Sequence, residues 1–309
     1  MENVNFKLLC DNTLTLHRGT ELHEFQIDKV DHYAISLDAT LKRFARKTLI
    51  RKLEFEEEPE ARATWSFDIV KKGNRTLLRQ LLLMSLNGYV NKIYIGFEIP
   101  DRKSDLASRH GIIIVSRCSS DVRSLVFSWL SNRFDTYIRA QTIDQAFIVS
   151  VFEKYAKRCG GSETIRAPTD LTFSNPLNSS KLKSIILSID HFNLRGLLEI
   201  SKDDSIIDIF LQHAKRHTAI DYNKLSIIQI SCAGFIMTTT GRIKIFSKEF
   251  TTSNVEENIS QSERVVWDIF DDLLNIIDDS LREALLPMAL STRPGQNGLE
   301  NIYKSAKIV

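Results

Sequence analysis

The alternation of apolar and polar residues late in the chain is its clearest structural signal. The stretch Leu225–Phe246, LSIIQISCAGFIMTTTGRIKIF, predicts two β-strands rich in Ile, Thr and Phe, closed by a turn around Thr240-Gly241. In the last strand, Arg242–Ile245, basic residues alternate with isoleucines, so one face is basic and the other apolar. Because such a strand often lies at a sheet edge, we interpret it as an edge blunted by charge or covered by another chain.

Other short segments carry strand-like patterns. The predicted strands are Phe6–Cys10, Thr48–Phe55, Thr64–Val70, Val90–Ile99, Gly111–Ser116, Thr136–Arg139 and Asp170–Ser174. Gly111–Ser116 is an unbroken apolar run, which is typical of a strand covered on both faces.

A period of 3.6 residues predicts the helices. They are Leu37–Thr48, Asp121–Arg133, Ile143–Arg158, Ser179–Ile189, Asp204–Thr218 and Glu263–Ala289. The last of these has a broad apolar arc opposite a row of aspartates. We expect the apolar arc to pack on the protein's own sheet, and the aspartates to be solvated or to meet a basic partner.

Strands and helices interleave irregularly, which predicts an α+β fold with mainly antiparallel, twisted sheets and packed helices. The segment Gly160–Pro168 contains Gly, Ser, Thr and Pro and is the best candidate boundary between two intimately joined lobes. The expected division is an N-terminal α/β lobe over residues 1–160 and a C-terminal α/β lobe with the late hairpin over 161–250. We expect residues 251–309 to form a linker, the acidic amphipathic helix and a loose tail.

Composition narrows the class of protein. With 43% hydrophobic and 26% charged residues in 309, we expect a soluble globular chain without a signal peptide or membrane span. The four cysteines are far apart in sequence, which indicates reduced thiols of the cytosol or nucleus. The net charge of +2 neither requires nor excludes nucleic acid.

Catalytic motifs are missing from the sequence. There is no phosphate-binding glycine motif, zinc-protease motif or nucleophile elbow. His213 and His217 have metal-ligand spacing, but no third ligand lies near them in sequence. We expect no catalytic residue, metal site, cofactor or small-molecule substrate. An enzyme of an unrecognised kind would instead show a deep pocket with converging polar groups.

Basic residues form local clusters. On the helix Leu37–Thr48, cations lie on the arc opposite Leu41 and Phe44. These cations form either a solvated face or a patch that contacts phosphates. Nothing in their pattern resembles a recognition helix that reads bases. The candidate DNA-binding residues are Lys42, Arg43, Arg46, Lys47, Arg51, Lys52, Lys71, Lys72, Arg75, Arg79, Arg242 and Lys244.

Four blocks of this sequence, in order, resemble the centromere protein L family. Leu14–Phe44 is similar to its opening strand, Leu–Phe pair and amphipathic helix. Trp129–Ile143 resembles its Trp-led helix end before a strand, and Asp170–Ile189 its strand followed by a helix. Ser231–Ile245 resembles its late hairpin with a basic-apolar strand.

The resemblance implies a non-enzymatic subunit of the inner kinetochore, in the nucleus at the centromere. It further implies a centromere protein N-like partner whose sheet continues the C-terminal sheet of this chain, other inner kinetochore subunits, and a charged passage for centromeric DNA. The alternative is a general nucleic-acid-binding α+β protein. For the partner interface we select the aliphatic residues of the late strands, Leu225, Ile227, Ile230, Ile243 and Ile245.

Overall fold

A computed structural model of the chain describes most of its first 246 residues and one short segment beyond them. The described ranges are 9–52, 61–72, 75–86, 88–99, 111–159, 167–174, 184–201, 204–246, 268–269 and 271–273. All structural statements below concern these residues.

Eleven strands and five α-helices follow one another in irregular order. They are β1 (Thr13–Gly19), α1 (Val30–Lys52), β2 (Ala61–Lys72), β3 (Arg75–Leu86), β4 (Tyr89–Ile99), β5 (Ile112–Arg117), α2 (Ser120–Phe134), β6 (Ile138–Ala140), α3 (Gln145–Cys159), β7 (Thr169–Ser174), β8 (Ser184–Ile189), α4 (His191–Ser201), α5 (Ile206–Thr218), β9 (Ile227–Ser231), β10 (Phe235–Thr238) and β11 (Arg242–Ile245). Two short 3-10 helices cover 27–29 and 222–224.

All the strands belong to one antiparallel sheet. Its order is β2-β3-β4-β5-β1-β11-β10-β9-β7-β8, with β6 paired to β1 beside that path. The first strand is central, since it pairs with β5 on one side and with β11 and β6 on the other. In this register Leu14 lies opposite Ile243, more than two hundred residues later in the chain. The α+β, mainly antiparallel fold predicted from the sequence is therefore confirmed.

Helices cover both faces of the sheet and create two cores. Ile113 and Val115 of β5 belong to a core shared with α3, α5 and the late strands. Their neighbours Ile112 and Ile114 belong to a second core, shared with α1 and α2. Because successive side chains of a strand point to opposite faces, an unbroken apolar run is what two covered faces require. The prediction made for Gly111–Ser116 is confirmed.

Local sequence sets the ends of two of these helices. The Ser119 hydroxyl accepts a hydrogen bond from the backbone N–H of Val122, and the Ser205 hydroxyl accepts one from that of Asp208. The helices α2 and α5 end at Asp135 and Ala219, which adopt left-handed backbone conformations. These caps lie within two residues of the predicted helix boundaries.

Four predicted elements are corrected by the structure. Helix α1 continues through Lys52, so Thr48–Phe55 is not a strand over its described part, and the Thr48 hydroxyl donates to the Phe44 carbonyl within the helix. Leu9 and Cys10 lie in a turn, whereas Phe6–Leu8 falls outside the described residues. The predicted helix Ser179–Ile189 is strand β8 from Ser184 onward, because every second side chain of that stretch faces the core.

The fourth correction concerns the late hairpin, which contains three strands rather than two. The turn at Thr240-Gly241 is confirmed, but a further turn at Ala233-Gly234 separates β9 from β10. The structure also contains β3 and α4, which the sequence did not predict, and β1, for which only the family resemblance implied a strand. The leucine-rich β3 has no strand propensity of its own, and it is a strand because β2 and β4 pair with it on both sides.

The two-lobe division at residues 160 and 161 stays a prediction, and most of the acidic helix Glu263–Ala289 falls outside the described residues. Its described part, 268–269 and 271–273, is helical. Cys10, Cys118 and Cys232 form no disulfide. Among the helices that the structure describes, none combines the length and the apolar character needed to cross a bilayer.

Gly241 tests how closely the turn before β11 packs on Gln141 beside β1. It has a φ of 79°, and a Cβ added there would collide with the carbonyl oxygen of Gln141. Gly88 has the same φ of 79° but nothing within 4 Å of such a Cβ. We expect Gly88→Ala to cost about 1–2 kcal/mol, the penalty for a left-handed L-residue, and Gly241→Ala to cost clearly more. Urea denaturation of both variants measures this, and equal losses would contradict a close packing of Gly241 on Gln141.

Candidate partner-binding edge and cationic residues

The basic-apolar strand β11 lies inside the sheet. It pairs with β1 through residues Thr13–Thr15 and with β10 through Phe235–Met237. Ile243 and Ile245 are 0% and 1% exposed, because their side chains enter the chain's own core. The interpretation of this strand as a docking edge is therefore wrong, since both of its hydrogen-bonding sides are already used.

The other residues selected for a partner interface belong to the same core. Ile227 and Ile230 of β9 are buried, and the half-buried Leu225 packs against them. The backbone N–H of Ile227 also donates to the side-chain oxygen of Gln145 at 3.0 Å, which ties β9 to the start of α3. These side chains stabilise the C-terminal sheet from within.

Two strands, β2 and β8, form the ends of the described sheet, and their chemistry differs. The outer strand β2 carries Arg62, Asp68 and Lys71 along its length. The outer strand β8, SIILSI, contains no charged residue. Charge on an outer strand prevents pairing with other chains, whereas an uncharged strand leaves its backbone N–H and C=O groups open to pairing. Of the two outer strands that the structure describes, β8 is therefore the one without such charges.

Both faces of β8 present apolar side chains. Ile185 and Leu187 lie on the core side, opposite the buried Phe173 and Leu171 of β7, and they remain partly exposed. Ile186 points to the other face and is 60% exposed. A partner strand that paired with β8 would bury the exposed parts of Ile185 and Leu187. It would also contact Ile186 on the other face.

The helix that follows β8 also has exposed apolar side chains. Asp190 joins β8 to α4, and its carboxylate accepts a hydrogen bond from the backbone N–H of Phe192 at 2.9 Å. Leu194 of α4 is buried, but Phe192 and Ile200 are 74% and 70% exposed. Helix α4 thus exposes two large apolar side chains in addition to Ile186 of β8.

The first cationic cluster lies where the helical pattern predicted it. Lys42, Arg43, Arg46 and Lys47 are exposed on α1, opposite the buried Leu41. Lys42 forms an ion pair with Asp38 one turn earlier, at 2.8 Å. The next two candidates, Arg51 and Lys52, end α1, but their side chains fall outside the described residues.

The remaining cationic candidates are dispersed over the sheet. Lys71 is exposed on β2, and the side chains of Lys72 and Arg75, opposite each other at the β2–β3 end, are not described. Arg242 is exposed on β11, and Lys244 lies 4.9 Å from the ring centre of Phe246. Five strand spacings separate β2 from β11 in the sheet. The cations at the β2–β3 end and the cations of β11 are therefore about 24 Å apart and do not form one patch.

A further cation, Arg123, lies near Arg242 of β11. Arg123 of α2 donates a hydrogen bond to the Thr15 hydroxyl at 3.3 Å, and Thr15 lies opposite Arg242 in the sheet. The nearby His17 is buried against Phe127, and burial together with the charge of Arg123 lowers its pKa to about 4. Sequence reasoning missed Arg123 because its approach to β11 depends on the central position of β1.

Arg79 lies in the interior rather than on a DNA-facing surface. It is 6% exposed, and its guanidinium contacts the 5% exposed carboxylate of Asp271 at 3.1 Å. In the sheet Arg79 lies opposite Asp68. Its selection as a surface cation is therefore corrected, because an arginine in the middle of a leucine-rich strand faces the core and needs an acidic partner there.

That acidic partner belongs to a short helical segment, Asp268, Ile269, Asp271, Asp272 and Leu273, which we call the acidic segment. Asp268 pairs with Arg158 at 3.0 Å and Asp272 with Lys154 at 2.7 Å, both on α3. Ile269 and Leu273 are buried in the larger core. The described aspartates thus meet basic residues of the chain itself, and the two described apolar residues of this arc, Ile269 and Leu273, are buried in the chain's own core.

No catalytic arrangement emerges among the described residues. Burial raises the pKa of the Cys118 thiol to about 12, so this cysteine is not an activated nucleophile. The rings of His213 and His217 lie 4.4 Å apart, but no set of three His, Cys, Asp or Glu side chains in the described ranges is arranged to hold a metal.

One comparison with known proteins identifies a family. The family model for centromere protein L matches residues 100–280, which is 181 of the 309 residues. The match includes α2, the strands β7 and β8, the late strands β9, β10 and β11, and the acidic segment. A search of the curated proteins found no match.

The buried ion pair supplies a stability test. Asp271→Ala removes the carboxylate from the buried Arg79, and loss of one partner of a buried pair costs about 3–5 kcal/mol. Asp272→Ala removes an acid from the same segment, but its partner Lys154 is 63% exposed, so the expected cost is about 0–1 kcal/mol. Chemical denaturation of the full chain measures both, and similar costs would contradict the buried character of the first pair.

Proposed function

The chain belongs to the centromere protein L family, and from this premise we propose that it is a non-enzymatic structural subunit of the inner kinetochore. The family gives the chain a role at the kinetochore in chromosome segregation, in the nucleus. The finer proposal is that it forms a heterodimer with a centromere protein N-like subunit within the constitutive centromere-associated network. Through that partner it would support attachment to the centromeric nucleosome and its DNA in mitosis and meiosis.

The observation that supports this proposal is the uncharged outer strand β8. A partner strand that pairs with an exposed sheet edge gains affinity from backbone hydrogen bonds and specificity from alternate side chains. Ser184–Ile189 offers six residues for such pairing, with Ile186 outward and Ile185 and Leu187 toward the core. The prediction of a C-terminal sheet that continues into the partner is kept, but its contact moves from β11 to β8.

The buried aliphatic residues then have a supporting role. Ile227, Ile230, Ile243 and Ile245 hold β9 and β11 in the sheet beneath the proposed interface. Replacement of Ile243 and Ile245 by aspartate would place two charges in the core, and we expect the chain to unfold rather than to lose its partner alone. The proposed interface residues are therefore those of β8 and of the exposed face of α4.

We expect Ile186→Lys to weaken binding of the centromere protein N-like subunit at least tenfold, because it places a charge on the pairing edge. Since Ile186 is 60% exposed, the midpoint of thermal unfolding should stay within a few degrees of the original value. The matched control is Ile69→Lys on the opposite outer strand, where Ile69 is 49% exposed. Affinities are measured by titration of the purified partner.

The two variants separate the possible results. Loss of partner binding by Ile69→Lys with normal binding by Ile186→Lys would place the interface at β2 and refute the role of β8. Normal binding by both variants would refute pairing at a sheet edge.

A second function, general binding of nucleic acid, is favoured by one observation. Four exposed cations, Lys42, Arg43, Arg46 and Lys47, lie on one arc of α1. Phosphate contacts release counterions, and each one contributes about 0.9 to the slope of log affinity against log salt concentration. The spacing supports contact with a duplex backbone rather than base recognition.

Charge reversal of these four residues to glutamate should reduce the binding of any DNA duplex and lower the salt slope by about 3–4. The control reverses four exposed cations on other elements, with the same change in net charge: Lys29, Arg62, Arg195 and Arg216. Equal losses in both variants would indicate a general effect of net charge. Unchanged binding at low salt would refute a DNA-binding role for α1.

A further inference from the structure

The acidic segment lies in a groove that combines cations with an apolar floor. Its walls are Arg79 of β3 and Lys154 and Arg158 of α3, each paired with an aspartate of the segment. Val151 and Tyr155 of α3 line the groove between these charges. Each described aspartate thus finds a cation, and each described aliphatic residue is buried.

The spacing within the segment follows the periodicity of one helical turn. Asp268 and Asp272 are four residues apart and contact the two cations of α3, while Asp271 turns toward the sheet. Ile269 and Leu273 are also four residues apart and enter the core. A ligand that reproduced these contacts would be a helix with carboxylates at positions i, i+3 and i+4 and aliphatic residues at i+1 and i+5.

We propose that this groove is a binding site for an acidic amphipathic helix of a partner protein, and that the acidic segment occupies it as an intramolecular competitor. The proposal goes beyond pairing at β8, because it concerns a different surface and a different kind of ligand. The free chain would keep the groove closed, and a partner helix of matching chemistry would displace the segment.

Two features of the contact favour such exchange. The pairs of Lys154 and Arg158 are at the surface, where cations that are 63% and 55% exposed hold their partners only weakly. Beside the segment the groove retains a cavity of about 620 Å³, which Lys157 also lines. The described residues of the segment therefore leave part of the groove open.

The buried pair provides selectivity. If the segment left, the buried Arg79 would lose the carboxylate of Asp271, and loss of one partner of a buried pair is unfavourable. An incoming helix with a carboxylate at the position of Asp271 would restore this pair, and a helix without one would bind more weakly.

The apolar floor favours a protein helix over nucleic acid. Phosphates could pair with Lys154 and Arg158, but they offer nothing to cover the apolar surface that Ile269 and Leu273 now fill. The sites that proteins use for amphipathic helices combine an apolar groove with charges at its rim.

The test uses a fluorescent peptide with the sequence of residues 263–280, ERVVWDIFDDLLNIIDDS. It is titrated into the full chain and into the variant Asp268→Lys with Asp272→Lys, whose segment is repelled by α3. We expect the peptide to bind this variant at least tenfold more tightly than the unmodified chain. A control variant with the same change in net charge at exposed sites, Glu24→Lys with Asp28→Lys, should bind like the unmodified chain. A peptide with Asp271→Asn should lose at least tenfold in affinity.

Circular dichroism confirms that the variant is folded, and Asp268→Asn with Asp272→Asn replaces it if the lysines prevent folding. Equal peptide affinity for the opened and unmodified chains would overturn the proposal. Equal affinity of the two peptides would overturn the role of Arg79. Binding of a 20-base-pair DNA duplex by the opened variant, without binding of the peptide, would also overturn it and assign the groove to nucleic acid.

Discussion

The pairing of β1 on both sides is the constraint on which the rest of the structure depends. One hydrogen-bonding side of this strand joins β5, and the other joins β11 and β6, so β1 links the two halves of a single sheet. At its middle, the backbone N–H of Leu16 donates to the Gly241 carbonyl at 2.8 Å, while the Leu16 carbonyl accepts from the N–H of Gln141. Gly241 is required there because a side chain would meet Gln141. The strands β9, β10 and β11 are thereby enclosed, and the two ends of the described sheet are β2 and β8.

The two end strands of the sheet, β2 and β8, differ in charge and in exposed apolar side chains. Charges along β2 disfavour pairing with another chain, whereas β8 and the start of α4 combine open backbone groups with exposed apolar side chains. A structural subunit needs one edge that recruits its partner and another that does not promote aggregation. The family assignment and the asymmetry of the sheet therefore support the same function from independent observations.

The acidic segment shows how a second surface is kept closed. Burial of Ile269 and Leu273 is worth about 1.5–3 kcal/mol for each side chain, which outweighs the exposed ion pairs at about 0–1 kcal/mol each. The buried pair between Arg79 and Asp271 adds selectivity more than stability, since each charge loses its hydration. Apolar contact thus holds the segment in place, and charge decides which segment is accepted.

Local patterns by themselves determined much of this protein. The runs of β4, β5, β7 and of helices α2, α3 and α5 were predicted close to their observed limits, because period and capping are properties of neighbouring residues. The resemblance carried by four blocks also led to the family. Only tertiary structure decided that β3 and β8 are strands, that β11 is enclosed, that Arg79 is buried and that β8 ends the described sheet. These outcomes depend on pairing between residues that can be more than two hundred positions apart, and no local pattern contains that information.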